Sequence, residues 1–93
     1  MASLTANVPT PNGSRHLQQL CKHWSHKFDT EFDAERGSIA FPMGSISMTA
    51  GADSLTVTID PQEGVDVERF KQVVAEHLDR FAFREAPLTF DWR

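Results

Sequence analysis

From Phe28 to Ile59 the apolar residues recur mostly at every second position, and this constrains the fold more than any other property of the chain. A side-chain period of two belongs to strands with one buried face and one wet face, not to a helix. Phe28, Thr30 and Phe32 alternate with Asp29, Glu31 and Asp33. Ile39, Phe41 and Met43 form a second run, Gly44 breaks it, and Ile46 and Met48 continue the alternation. Leu55, Val57 and Ile59 then alternate with Ser54, Thr56 and Thr58. Turns at residues 34–37 and 51–54 are short enough for hairpins, so four strands in series should pair antiparallel. A further strand is expected at each end: Leu4, Ala6 and Val8 alternate with Ser3, Thr5 and Asn7, and Leu88, Phe90 and Trp92 with Thr89 and Asp91.

Two segments break this rhythm. Leu17, Leu20, Cys21, Trp24 and Phe28 form an apolar stripe at helical spacing, after a turn in which Thr10, Asn12 or Ser14 can cap the helix. Val67, Phe70, Val73, Val74, His77, Leu78 and Phe81 form another, with Asp66 placed as N-cap. The order is therefore β-α-β-β-β-β-α-β. Each helix has a single apolar stripe, and each strand has a single apolar face. An α+β two-layer sandwich, a mainly antiparallel sheet with two helices on one face, buries all of them. A chain of 93 residues is expected to form one domain, spanning 1–93.

The bulk charge of −4, with a pI near 5.4, argues against nucleic acid as a partner. No apolar run approaches the roughly 20 residues of a membrane-spanning helix, and the first residues lack the pattern of a secretory signal. A cytoplasmic location with no membrane association is expected, where the single Cys21 stays reduced. There is no phosphate-binding glycine motif, activated serine or HExxH pair, so an enzyme is not expected and no cofactor is implied.

In the first helix the residues become specific. Ser14-Arg-His-Leu-Gln-Gln-Leu-Cys-Lys-His-Trp-Ser-His-Lys-Phe28, together with residues 74–85 and the terminal Leu88-Thr-Phe-Asp-Trp92, resembles the bacterial family called domain of unknown function 2218. His16 departs from the Tyr expected in many relatives. The resemblance implies a topology similar to that of the TATA-binding protein, which says nothing about DNA binding. It also implies an accessory role near iron or siderophore metabolism, because such domains occur fused to siderophore-interacting flavin reductases.

The total charge hides a polarised chain. Residues 1–28 carry Arg15, Lys22 and Lys27 and no acid, a sum of +3, whereas residues 29–93 carry six basic and thirteen acidic residues, a sum of −7. Arg15, Lys22, His23, His26 and Lys27 all fall off the apolar stripe, and Ser14 stands near the helix start, where free N–H groups favour anions. These residues form a candidate site for a phosphate, carboxylate or catecholate group, or for an acidic, siderophore-related protein partner. Arg80 and Arg84 join it if the helices bring them close. In the competing reading, Asp29, Glu31, Asp33 and Glu35 neutralise the basic helix from within. A third reading is a homo-oligomer in which the basic helix of one chain meets an acidic edge of another.

Metal or haem binding through His23 and His26 is the weaker alternative. Cys21 and His23 are roughly 160° apart on a helix, and His16 lies about 10 Å along the axis from His23. Only His23 and His26 are neighbours, and two ligands do not close a zinc site. The histidines are therefore expected on a solvated face, with no metal bound. Cys21 is expected as a packed thiol, His77 as a core histidine with a hydrogen-bond partner, and Trp24 and the phenylalanines as core.

Overall fold

The computed structural model describes residues 3–82, 88–90 and 92. The alternating runs form five strands: β1 (Leu4–Pro9), β2 (Thr30–Phe32), β3 (Arg36–Phe41), β4 (Gly44–Ala50) and β5 (Ser54–Pro61). They make one sheet in the order β1-β5-β4-β3-β2, with every neighbouring pair antiparallel. Strands β2 to β5 form a meander, and β1 joins its far side by pairing with β5. The alternation sets the register, because a slip of one residue would turn Ile39, Ile46, Met48, Leu55, Val57 and Ile59 out to water. All six are buried.

Helices α1 (Gly13–Trp24) and α2 (Val67–Phe81) cover the inner face. Leu17, Leu20, Cys21 and Trp24 from α1 and Phe70, Val74 and Leu78 from α2 complete one core with the inward residues of the sheet. Asp66 caps α2 as expected, its carboxylate accepting from the Arg69 N–H at 3.2 Å. Asn12 occupies the N-cap position of α1. The two layers are as the patterning predicts.

Three local expectations are corrected. α1 stops at Trp24, not Phe28: the Ser25 hydroxyl donates to the Lys22 carbonyl at 2.7 Å, and the Lys27 N–H reaches the Trp24 carbonyl three residues back. Phe28 nevertheless stays over the stripe, 6.4 Å from the Trp24 ring, so the helical period runs on past the end of the helix. Phe32 is 41% exposed on the edge strand β2, so not every phenylalanine is core. Residues 88–90 form no strand, Trp92 meets the sheet through an antiparallel bridge to Ala6, and Asp91 of the expected last strand lies outside the described residues. Among the described residues no helix is long and apolar enough to cross a membrane.

Candidate functional site

Trp24 builds the site. It is the last residue of α1, 4% exposed, with its ring centred 4.8 Å from that of Phe41 on the sheet and 4.8 Å from that of His77 on α2. This packing draws the C-terminal end of α1 against the C-terminal half of α2. The neighbouring residue His23 is exposed, yet its ring lies 5.9 Å from that of His77 and meets the edge of Phe81 at 5.6 Å. His77 Nδ1 is 2.7 Å from the Val73 carbonyl oxygen. A carbonyl can only accept, so Nδ1 carries the proton, and in the neutral ring Nε2 is left as an acceptor.

His23 senses its cationic surroundings. Its pKa is held below the usual value, first by loss of hydration beside these rings and then by His77, Arg80, Lys27 and His26. Protonation therefore opposes folding. The stability that neutral His23 contributes is complete above the ordinary value of 6.5 and is lost as pH falls through the depressed folded value. In an Arg80→Ala variant, NMR titration should show His23 protonating at higher pH than in the parent; an unchanged titration would place Arg80 too far away to matter.

Among the described residues the charge gathered here is not paired with an acid. Among the described residues the ion pair within 4 Å is Lys71–Glu68, and none of Arg15, Lys22, Lys27 and Arg80 is paired with an acid. Asp79, adjacent to Arg80 in sequence, is engaged elsewhere, accepting from the Leu88 N–H at 2.9 Å. Glu76, one turn before Arg80, is exposed. The acidic stretch after α1 thus makes no close ion pair with the basic helix. The ends of the two helices offset part of the charge, about half a negative unit each. Lys27 and Arg80 bring two positive units, so an excess remains before either histidine is protonated.

The family described as "uncharacterized protein conserved in bacteria" (DUF2218) matches residues 5–93 of this chain. The chain belongs to that family. The NMR structure of PA4090 from Pseudomonas aeruginosa is similar in fold, with a TM-score of 0.80 and 32% sequence identity over 100% of this chain and 96% of that one. No curated protein matches.

Within this DUF2218 domain the candidate residues divide. His23, His26, Lys27 and Arg80 come together around the junction of the helices. Arg15 is exposed eight residues before His23, about 12 Å along the axis, and belongs to the other end of α1. Ser14 is half-buried; its hydroxyl donates to the Ala34 carbonyl at 2.6 Å and accepts from Gln18 at 2.9 Å, tying α1 to the β2–β3 turn. Lys22 is exposed on the last turn of α1, and Arg84 lies outside the described residues. His77 and Phe81, read from the sequence as core, form the wall beside His23 and are half-buried. The helical stripe of α2 contains both residues, but their proximity to His23 needed the packing of two helices.

His16 is a correction. It is 3% exposed and lies on the buried side of α1, not on a solvated face. Cys21 is fully buried, and burial pushes its thiol up to about 11, so almost no thiolate exists at neutral pH. Among the described residues no three His, Cys, Asp or Glu side chains are grouped to hold a metal ion. His23 and His26 lack further ligands, and Lys27 and Arg80 beside them repel a dication.

Proposed function

We propose that this DUF2218 domain is a non-enzymatic accessory module that holds an anion, a phosphate or carboxylate group, where α1 and α2 meet. Lys27 and Arg80 supply the fixed charge, and His23 supplies charge that grows as pH falls. The observation that carries this reading is the convergence of these cations from α2, from the end of α1 and from the turn after it, with no carboxylate among the described residues in an ion pair with Lys27 or Arg80. The rings beneath them give the site a firm base, since buried Trp24 is held by packing and half-buried His77 by the Trp24 ring and the Val73 carbonyl. A cytoplasmic setting and a link to iron or siderophore handling belong to the same proposal, and the iron link rests on the family resemblance alone.

Calorimetric titration at low salt with pyrophosphate and with ferric siderophores tests it. Saturable binding that tightens from pH 8 to pH 6 is expected, because a bound anion favours protonated His23 and linkage makes the effect reciprocal. Absence of saturable binding with every probe would sink the ligand claim. The rival reading is self-association, with the basic helix of one copy meeting the acidic stretch of another, and the +3 and −7 segments favour it. It would appear in light scattering as a mass that falls towards the monomer with added salt.

A further inference from the structure

One edge of the sheet carries a second feature, independent of the cationic junction. Edge strands leave a row of backbone N–H and C=O groups open to pairing. The β1 edge is met at Ala6 by Trp92, whereas β2 at the other edge has no further strand beside it among the described residues. The phase of the β2–β3 ladder shows which groups are open. The Ala40 N–H donates to the Asp29 carbonyl at 2.9 Å, and the Asp33 N–H donates to the Arg36 carbonyl at 2.8 Å. In an antiparallel pair every second residue bonds to the neighbouring strand, so Asp29, Glu31 and Asp33 turn their backbone groups towards β3. Thr30 and Phe32 therefore turn theirs outward.

The side chains of this edge divide by face. Phe32 pairs with Gly37, and a Cβ built on Gly37 would point at Cys21 and Leu17 and lie 3.3 Å from Phe32 Cβ, so Phe32 is on the helix side. Its ring is 41% exposed, the exposed large apolar side chain among the described residues. Glu31 pairs with Ser38 on the opposite, open face, and Asp29 and Asp33 share its phase. Asp33 is committed to its own turn, its Oδ1 accepting from the Glu35 and Arg36 N–H groups at 2.8 and 2.9 Å. Asp29 and Glu31 are exposed and in no ion pair among the described residues. Residues 29–36 sum to −3, with Arg36 the one cation against four carboxylates. The open edge is thus aromatic on one face and acidic on the other.

We propose that β2 takes a basic extended strand of a partner protein by antiparallel pairing. The partner's backbone bonds Thr30 and Phe32, its lysines or arginines face Glu31 and Asp29, and its apolar residues cover the Phe32 ring. The two patterns match because side chains on both strands alternate with a period of two. Charge selects the occupant, since the edge left open is also the acidic one. A second copy of this chain does not fit. Every antiparallel pairing of β2 with itself that uses the open groups sets one of Asp29, Glu31 and Asp33 opposite another, and like charges opposite each other destabilise the pair.

The test is an NMR titration of backbone amides with the blocked peptide acetyl-Lys-Val-Lys-Val-Lys-amide. Saturable shifts and slowed amide exchange are expected at Thr30 and Phe32. The same peptide methylated at both valine nitrogens lacks the pairing donors and should bind about tenfold or more weakly. Acetyl-Glu-Val-Glu-Val-Glu-amide should not saturate over the same range. Glu31→Lys should reverse that preference, and Phe32→Ser should weaken the basic peptide several-fold, while both variants, altered at exposed positions, unfold thermally near the parent. The proposal is overturned by no saturable shift up to about 10 mM basic peptide. It is also overturned by equal binding of the methylated or the acidic peptide, by a preference that Glu31→Lys leaves unchanged, or by shifts confined to the helices. None of these results bears on anion binding at the helix junction, which uses other residues.

Discussion

Replacing Trp24 with alanine is expected to destabilise the protein by about 3–5 kcal/mol, the range for removing a large aromatic from a packed interior. Trp24 is 4% exposed and contacts the rings of Phe28, Phe41 and His77, so it joins α1, the sheet and α2 at one point. Neighbouring side chains cannot collapse into that space without moving a helix. The same substitution should undo the site: without the indole packed on the His77 ring, His77 and the His23 ring that lies against it lose their support, and the His23 titration should move towards its ordinary value. Urea unfolding followed by circular dichroism measures the first effect, and histidine NMR the second. A loss below about 1 kcal/mol would contradict the central role given to this residue.

The second large effect is expected at Gly37, where β3 passes beneath α1. A Cβ built there would sit 2.6 Å from Cys21 Sγ and 3.1 Å from Leu17 Cδ1. Carbon and sulfur do not approach so closely, so Gly37→Ala must turn the thiol aside or lift the helix. Overpacking of this kind typically costs about 1–3 kcal/mol. Cys21→Ala removes the clashing atom, so the double variant should be more stable than Gly37→Ala alone. That coupling, read from a double-mutant cycle, separates a clash at the sulfur from a general intolerance of side chains at Gly37. If the second substitution gives no relief, the close approach of Cys21 is not what requires glycine.

These two residues also mark what could be read from the sequence. Trp24 and Cys21 sit at helical spacing beside Leu17 and Leu20, and that stripe predicts burial without knowledge of the neighbours. The alternation in Ser54–Pro61 likewise predicts a strand with one wet face, and the structure pairs it on both sides. Local patterning failed where tertiary packing decided the outcome. Phe28 keeps the helical period but belongs to the turn that leads into the sheet. Leu88, Phe90 and Trp92 alternate like a strand, yet among the described residues of this segment only Trp92 bridges to the sheet, at Ala6. His16 has a polar side chain that suggested solvent, but its position on α1 faces inward.

The candidate site was half legible. The absence of acids before Asp29 singled out α1 and its basic residues. Nothing local could tell Arg15 from Lys27, because both lie off the apolar stripe. The distinction comes from where α2 crosses: its C-terminal half brings His77, Arg80 and Phe81 to His23 and leaves Arg15 at the far end. Residues 51 or more apart in sequence meet there through helix packing, which periodicity does not encode. The fate of the acids was equally hidden, since Asp33 of the run after α1 is folded back on its own turn while Asp79 on α2 holds the Leu88 N–H.

The most direct measurement is the titration of the His23 imidazole by NMR, with and without saturating pyrophosphate, in the parent and in Arg80→Ala. A bound anion at the helix junction should raise the pKa of His23 in the parent, reversing the depression that its cationic neighbours cause. In Arg80→Ala the free protein should already titrate higher, and pyrophosphate should bind more weakly. A His23 pKa that is the same with and without pyrophosphate, in a protein that nevertheless binds it, would place the anion elsewhere and contradict the account.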